Sequence, residues 1–353
     1  MWRLWLANCY FDSHRACNNV ASSRRMLFIS KALLILAERT YVVISFFFIL
    51  HLEVSMNLVV GASGLTGTEV CRELAKGGKQ VRALVRSSTD PKKQEALKSL
   101  GASLAYGDLK DPSSLEAACR DVSTVISTAS STLSRTAGDS IETVDSQGQL
   151  SLVRAAKAAG VRQFIFISFA PIAEEFALQK AKRAVERELA GSGLVYTALQ
   201  PTFFTEVWLS PAVGFDPLKA TAQIYGPGHN KISWISYLDV ARFAVASVDN
   251  SAARNMVIEL GGLEALSPLQ VVQLFEEIGG RRFSVTHVSE EELRAQKAAA
   301  GDSLQEAFRA LMLYYAKGAV IDMKPALRIF PKQTSQLVSV RHYALRLLRA
   351  ASA

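Results

Sequence analysis

The stretch Val59-Val60-Gly61-Ala62-Ser63-Gly64-Leu65-Thr66-Gly67 constrains the fold more than any other part of the chain. It leaves a short apolar strand, Asn57 to Val60, and opens a helix predicted over Thr66 to Lys76. Its G-x-x-G-x-x-G spacing differs by one residue from the usual dinucleotide fingerprint, but the physical demands are the same. Gly61 permits a tight turn, Gly64 lets backbone approach a pyrophosphate, and Gly67 lets helix pack closely on strand. The helix N-terminus then presents N–H groups to an anion. Such a turn can also be purely structural, so its setting matters.

That setting is a regular alternation. Strands are predicted at Gln80 to Val85, Ser103 to Tyr106, Thr124 to Ile126, Gln163 to Ser168 and Val195 to Leu199. Helices between them are predicted at Pro91 to Leu100, Ser113 to Cys119, Ile141 to Ala159 and Phe176 to Ala190. The strands are apolar runs without polar alternation, as when helices cover both faces of a sheet. Right-handed βαβ crossovers and a parallel sheet follow. The fold class is therefore α/β, a Rossmann-type doubly wound parallel sheet over 56–200, with a smaller C-terminal substrate-binding part over 201–348. Within that part, 236–260 reads as a helix and a strand returning to the Rossmann core.

Residues 1–55 do not match the rest. They hold six of the 40 Lys/Arg and three of the 32 Asp/Glu, leaving five of the net +8 charges to the remaining chain. No basic stripe with interleaved aromatics occurs, so no nucleic-acid partner is expected. The segment 26–52 is strongly apolar but interrupted by Lys31, Glu38 and Arg39, and it is the only candidate for membrane contact. Met56 stands one residue before a complete first strand, which favours 1–55 as an extension outside the folded unit, with presence in the mature protein left open. The four cysteines lack disulfide or metal-site spacing, which fits a reducing, cytoplasmic setting. The five histidines form no close pair, so no metal is expected.

The choice of dinucleotide is made at the end of the second strand. An NAD site usually places an acid there for the ribose hydroxyls. Here the strand ends in Arg86, followed by Ser87 and Ser88, with no carboxylate before Asp90. A guanidinium among hydroxyls suits a 2′-phosphate, to which it donates charge-assisted bonds. The expected cofactor is NADP, with NADPH preferred over NADH. Asp108 and Leu109, after the third strand, are placed near the adenine edge, although Asp108 equally fits a helix cap. Thr128 and Ala129, after the fourth strand, leave room for the cofactor. The expected cofactor contacts are Gly61, Ala62, Ser63, Gly64, Leu65, Thr66, Gly67, Arg86, Ser87, Asp108, Leu109, Thr128 and Ala129.

With GASGLTG at 61–67, Arg86 and Gly107-Asp108-Leu109 stand AGVRQFIFIS at 159–168, KRAVE at 182–186, SGLVYTALQP at 192–201 and ISYLDVA at 235–241. Together they resemble the NmrA-like group of atypical short-chain dehydrogenases/reductases, which includes isoflavone reductase types. The resemblance implies an NADPH-binding domain with a substrate cleft over the carboxyl ends of its strands. It also implies that Lys182 is the active-site lysine, binding the nicotinamide ribose or acting on substrate.

Ordinary members of the superfamily carry a proton-donating tyrosine four residues earlier. This chain has Leu178 there, and shifting the match to Lys180 puts Phe176 in its place. Neither has a hydroxyl, so ordinary carbonyl reduction is in doubt. Quinone reduction needs no side-chain acid, because solvent can protonate the oxygen. The leading expectation is therefore NADPH-dependent hydride transfer to a quinone or similarly activated apolar acceptor, with Lys182 and Ser168 as catalytic candidates.

Each candidate has a plainer alternative. Lys182 lies on a charged amphipathic helix and also reads as solvated, and Ser168 as structural. Phe203, Phe204 and Trp208 line a pocket or fill a core. Asp239 reads as a cap or an interdomain contact. Tyr225, His229 and Tyr237 are the available substitutes for the lost phenol. Two other functional classes stay open: an NADP(H)-binding redox sensor acting on a protein partner without turnover, and a membrane-associated assembly factor.

Overall fold

The computed structural model describes residues 55–134 and 136–352. The N-terminal extension, with the apolar segment 26–52, lies outside the described residues. In chain order the strands are β1 Met56–Val60, β2 Gln80–Val85, β3 Ser103–Tyr106, β4 Thr124–Ser127, β5 Gln163–Ile167, β6 Val195–Pro201, β7 Phe215–Asp216, β8 Thr221–Tyr225, β9 Ile232–Ser233, β10 Met256–Leu260, β11 Ala265–Leu266 and β12 Ser284–Val288. The α-helices are α1 Leu65–Lys76, α2 Pro91–Ser99, α3 Pro112–Cys119, α4 Gln149–Ala158, α5 Ala177–Ser192, α6 Thr205–Trp208, α7 Tyr237–Ser247, α8 Pro268–Gly279, α9 Glu290–Ala298, α10 Ser303–Lys317, α11 Lys324–Ile329 and α12 Val340–Ser352.

Seven strands form one sheet in the order β10-β6-β5-β4-β1-β2-β3. Every pairing in it is parallel. The order reverses direction between β1 and β4, and a ligand crevice is expected outside the carboxyl ends of the strands at such a switch point. Apolar clusters fill both faces. One joins Val59, Val70, Ile126, Ile165 and Phe243; the other joins Leu58, Val60, Leu115, Leu152, Phe164 and Val185. This is why the strands carry no polar alternation.

Two backbone contacts position α1. A Cβ added at Gly67 would lie 2.1 Å from the Gly61 carbonyl oxygen. Gly61 itself has φ +82°, and a Cβ there would meet Thr128 Oγ1 and the Ala129 nitrogen, both at 2.8 Å. Only glycine lets the helix, the turn and the loop after β4 approach this closely.

The C-terminal part builds a second core around Phe203, Trp234, Phe275 and Tyr315. Its small sheets are β12-β8-β7 and β11-β9. The chain returns to the large sheet once, where β10 adds beside β6 in parallel. Asp239, read as a cap or interdomain contact, is not the cap: Ser236 Oγ accepts from the Leu238 N–H. Asp239 is buried, takes hydrogen bonds from Arg242 Nη1 at 2.8 Å and the Val338 N–H at 2.9 Å, and so ties α7 to the segment before α12. Burial pushes its carboxyl up to about 6.

The helix expected over 141–159 is two helices. Ile141–Gly148 is wound as a π-helix and only Gln149–Ala158 is α-helical. A Cβ at Gly148 would lie 2.8 Å from both Leu109 Cβ and the Thr143 carbonyl oxygen, so the wider turn runs tightly against the loop after β3. Apolar periodicity does not distinguish the two windings, which explains the missed break. Among the described residues, no helix is long and apolar enough to cross a membrane.

The glycine contacts set a graded expectation for denaturant unfolding. Gly67→Ala should destabilise the protein by more than about 2 kcal/mol, because the neighbouring atoms are backbone. Gly191→Ala, at an exposed α5 position with nothing within 4 Å of the added Cβ, should stabilise it by about 0.5–1 kcal/mol. Equal effects at the two sites would contradict the packing argument.

Candidate functional site

A cleft of about 800 Å³ runs across the carboxyl ends of the large sheet's strands. One end is lined by the glycine turn, with Ser63, Gly64, Leu65, Thr66 and Gly67, and by the loops after β3 and β4, with Asp108, Leu109, Thr128 and Ala129. Gly61 lies at the base of this region, whereas Ala62 is fully buried beneath it. Gly64 is the N-cap of α1 and makes no side-chain cap, which leaves the first-turn N–H groups without a capping side chain among the described residues. A glycine cradle in front of an uncapped helix N-terminus fits a pyrophosphate.

Arg86 lines the same end, but it is not a free cation. Its Nη1 donates to Asp139 Oδ2 at 2.7 Å, and Lys110 Nζ donates to Asp139 Oδ1 at 2.6 Å. Ser87, expected beside Arg86, is exposed and does not line the cleft. Lys93, on α2, does line it and had no local motif to announce it. Asp108 is not the helix cap; Asp111 accepts from the Ser113 N–H in that role. Asp108 accepts instead from the Lys110 N–H, at the cleft edge.

The other end of the cleft is walled by Ile167, Phe169, Ile172, Leu178, Phe203, Phe204, Trp208 and Leu311. Lys182 and Ser168 sit where the two ends meet. The lysine is not solvated: its side chain is 5% exposed, and Nζ lies 3.3 Å from Asp145 Oδ1. Nζ also donates to the Ile167 carbonyl at 3.4 Å and stands 4.9 Å from the centre of the Phe166 ring. Asp145 is completely buried on the π-helix, and its Oδ2 accepts from Ser131 N at 2.9 Å and Ser131 Oγ at 2.6 Å. A buried charge needs such partners, because desolvation of an isolated ion is costly. The π-helix therefore gives the lysine a counter-ion that no sequence motif indicated.

Ser168 is also buried, and its Oγ accepts from Arg183 Nη1 at 3.3 Å, which leaves its own proton available to a ligand. Of the three phenol substitutes, only Tyr237 lines the cleft. Tyr225 donates its hydroxyl to the Val213 carbonyl at 2.9 Å, and His229 is not part of the lining. Tyr314 of α10 lines the cleft as well, packed against Phe203 with ring centres 5.3 Å apart. Burial raises both tyrosine hydroxyls above their ordinary range, with Glu206 and Glu69 adding for Tyr237 and Glu259 for Tyr314. Both stay protonated near neutrality and can donate hydrogen bonds.

The sequence profile of the NmrA-like family matches residues 55–330. The chain is 30% identical over 308 residues to photosystem II assembly factor Ycf39 of Synechocystis sp., covering 83% of this chain and 91% of that one. It is 28% identical to NAD(P)H azoreductase of Xenophilus azovorans, covering 82% and 98%. Among solved structures, the Escherichia coli NADPH-dependent quinone oxidoreductase QOR2 complexed with NADPH superposes with a TM-score of 0.66 at 23% identity, covering 83% and 99%. That similarity establishes the shared fold.

The buried pair carries a measurable signature. Asp145→Asn should cost about 3 kcal/mol in denaturant unfolding, because Lys182 loses its counter-ion. The Asp145→Asn/Lys182→Met double variant should regain most of that loss. Additive losses in the double variant would contradict a direct pairing.

Proposed function

The chain belongs to the NmrA-like family, and on that premise we propose that it is an NADPH-dependent reductase passing hydride to a quinone or similarly activated apolar acceptor. The observation carrying this reading is the junction of the cleft: a glycine cradle and helix N-terminus at one end, an aromatic and aliphatic wall at the other, and the buried Lys182 between them. The oxidoreductase names among its relatives, including the azoreductase, support the same reading.

A bound nicotinamide dinucleotide supplies the hydride. The protein's task is to bind, orient and exclude water. Amides of the 61–67 turn and the first turn of α1 hold the pyrophosphate, and Arg86 with Lys93 faces the 2′-phosphate. An ammonium has three N–H bonds. On Lys182 the Ile167 carbonyl accepts one, Asp145 Oδ1 balances the charge as an ion pair at 3.3 Å, and an N–H stays available to a ribose hydroxyl. Ser168 Oγ donates to an acceptor oxygen, and Phe203, Trp208 and Leu311 form a dry wall against the ring. With leucine at 178, the usual tyrosine position delivers no proton, which favours acceptors whose oxygen or nitrogen solvent can protonate.

A second reading is favoured by one observation, the 30% identity to an assembly factor over most of both chains. In that reading the protein loads the dinucleotide and acts on a protein partner without turnover.

The two readings separate in one assay. Protein beginning at Met56 is titrated with NADPH by fluorescence, then given a panel of quinones and an azo dye. The reductase reading expects steady NADPH consumption, reduced at least tenfold in Lys182→Ala. Tight binding with no consumption for any acceptor would overturn it in favour of the assembly reading.

A further inference from the structure

We propose that Asp139 is the brake on the cleft's preference for NADPH, because its carboxylate occupies the place on Arg86 and Lys110 that a 2′-phosphate would take. The proposal rests on the dinucleotide reading above and adds the residue that sets its selectivity.

The sequence leaves no acid at the end of β2, which by itself favours a 2′-phosphate. The fold supplies one from elsewhere. The segment between β4 and the π-helix carries Asp139 across the end of β2, 53 positions along the chain from Arg86. Its two carboxylate oxygens are divided between the two cations: Oδ2 to Arg86 Nη1 at 2.7 Å and Oδ1 to Lys110 Nζ at 2.6 Å, with Ser134 Oγ also donating to Oδ2. The Asp139 side chain is 4% exposed, against 34% for Arg86 and 27% for Lys110, so the anion sits inside and the cations cover it. Burial pushes its carboxyl upward, but the hydrogen bonds from Lys110, Ser134 and Arg86 outweigh this and leave it at about 2. It is ionised throughout the working range.

The local charge balance then changes. Lys110 Nζ also stands 3.8 Å from Asp108 Oδ2. Arg86 and Lys110 are thus offset by Asp108 and Asp139, and only Lys93 lines this end without a carboxylate partner among the described residues. A phosphate monoester carries about −1.5 to −2 at neutral pH. On Arg86 it would compete with Asp139 for the same donor and meet a like charge beside it. A ribose 2′-hydroxyl has the opposite relation to a carboxylate, since it donates a proton that Asp139 can accept. Asp139 therefore weakens binding of 2′-phosphorylated ligands and spares unphosphorylated ones.

The test uses adenosine fragments, so it does not depend on turnover. Wild type and Asp139→Asn, which keeps the side chain's size and an oxygen for Ser134, are titrated calorimetrically with 2′,5′-ADP and 5′-AMP, then with NADPH and NADH. Thermal melts confirm that the variant is folded. Asp139→Asn should shift the 2′,5′-ADP to 5′-AMP affinity ratio at least tenfold towards the phosphorylated ligand, with a parallel shift for NADPH over NADH. Adding Arg86→Gln should abolish the gain. An unchanged ratio, or weaker 2′,5′-ADP binding in Asp139→Asn, would show that Asp139 merely aligns Arg86 and would overturn the proposal while leaving the dinucleotide reading intact. Absence of binding by all four ligands to either protein would overturn both.

Discussion

The contact between Gly67 and the carbonyl of Gly61 holds the architecture of the cleft in place. Because no Cβ intervenes, α1 begins close to the end of β1 and its N-terminus faces the crevice at the sheet's switch point. The same turn is pressed from the other side by Thr128 and Ala129. The 61–67 turn and the loop after β4, far apart in sequence, thus meet in close contact, and the concavity beside them presents the amide donors of an anion site. The glycine pattern was legible because it records a steric requirement that no other residue satisfies.

Around that rigid floor, the cations of the cleft other than Lys93 are held in pairs among the described residues. Lys182 is paired with the buried Asp145, and Arg86 with Asp139. The two pairs differ in exposure and therefore in consequence. The Lys182 pair is sealed between α5 and the π-helix, where losing one partner leaves an uncompensated charge, so it fixes the ammonium's position. The Arg86 pair lies at the rim, where another anion can compete for the arginine. One pair serves orientation and the other serves selection, and both carboxylates come from the stretch between β4 and α4.

This division also explains how much could be read from the chain. The alternation of apolar runs and helical segments delivered the parallel sheet, strand-to-loop positions pointed to Ser168 and most of the expected residues that line the cleft, and the resemblance pointed to Lys182, because those depend on local spacing and motif. Asp145 and Asp139 were missed because their partners lie 37 and 53 positions away and no local pattern marks them. The π-helix hid in a helical periodicity that does not resolve winding. Tyr314 reached the cleft only through the packing of α10 against Phe203. Ser87, adjacent to Arg86 in sequence, is exposed and lies outside the cleft lining.

The central claim is that a dinucleotide lies across the carboxyl ends of the large sheet, from Arg86 to Lys182. A crystal structure of the protein from Met56, soaked with NADPH, tests it most directly. The account predicts the pyrophosphate on the 61–67 turn, the adenosine ribose beside Arg86 and Asp139, and the nicotinamide between Lys182 and Phe203. A dinucleotide bound elsewhere, or in the cleft with its nicotinamide turned away from Lys182, would contradict it.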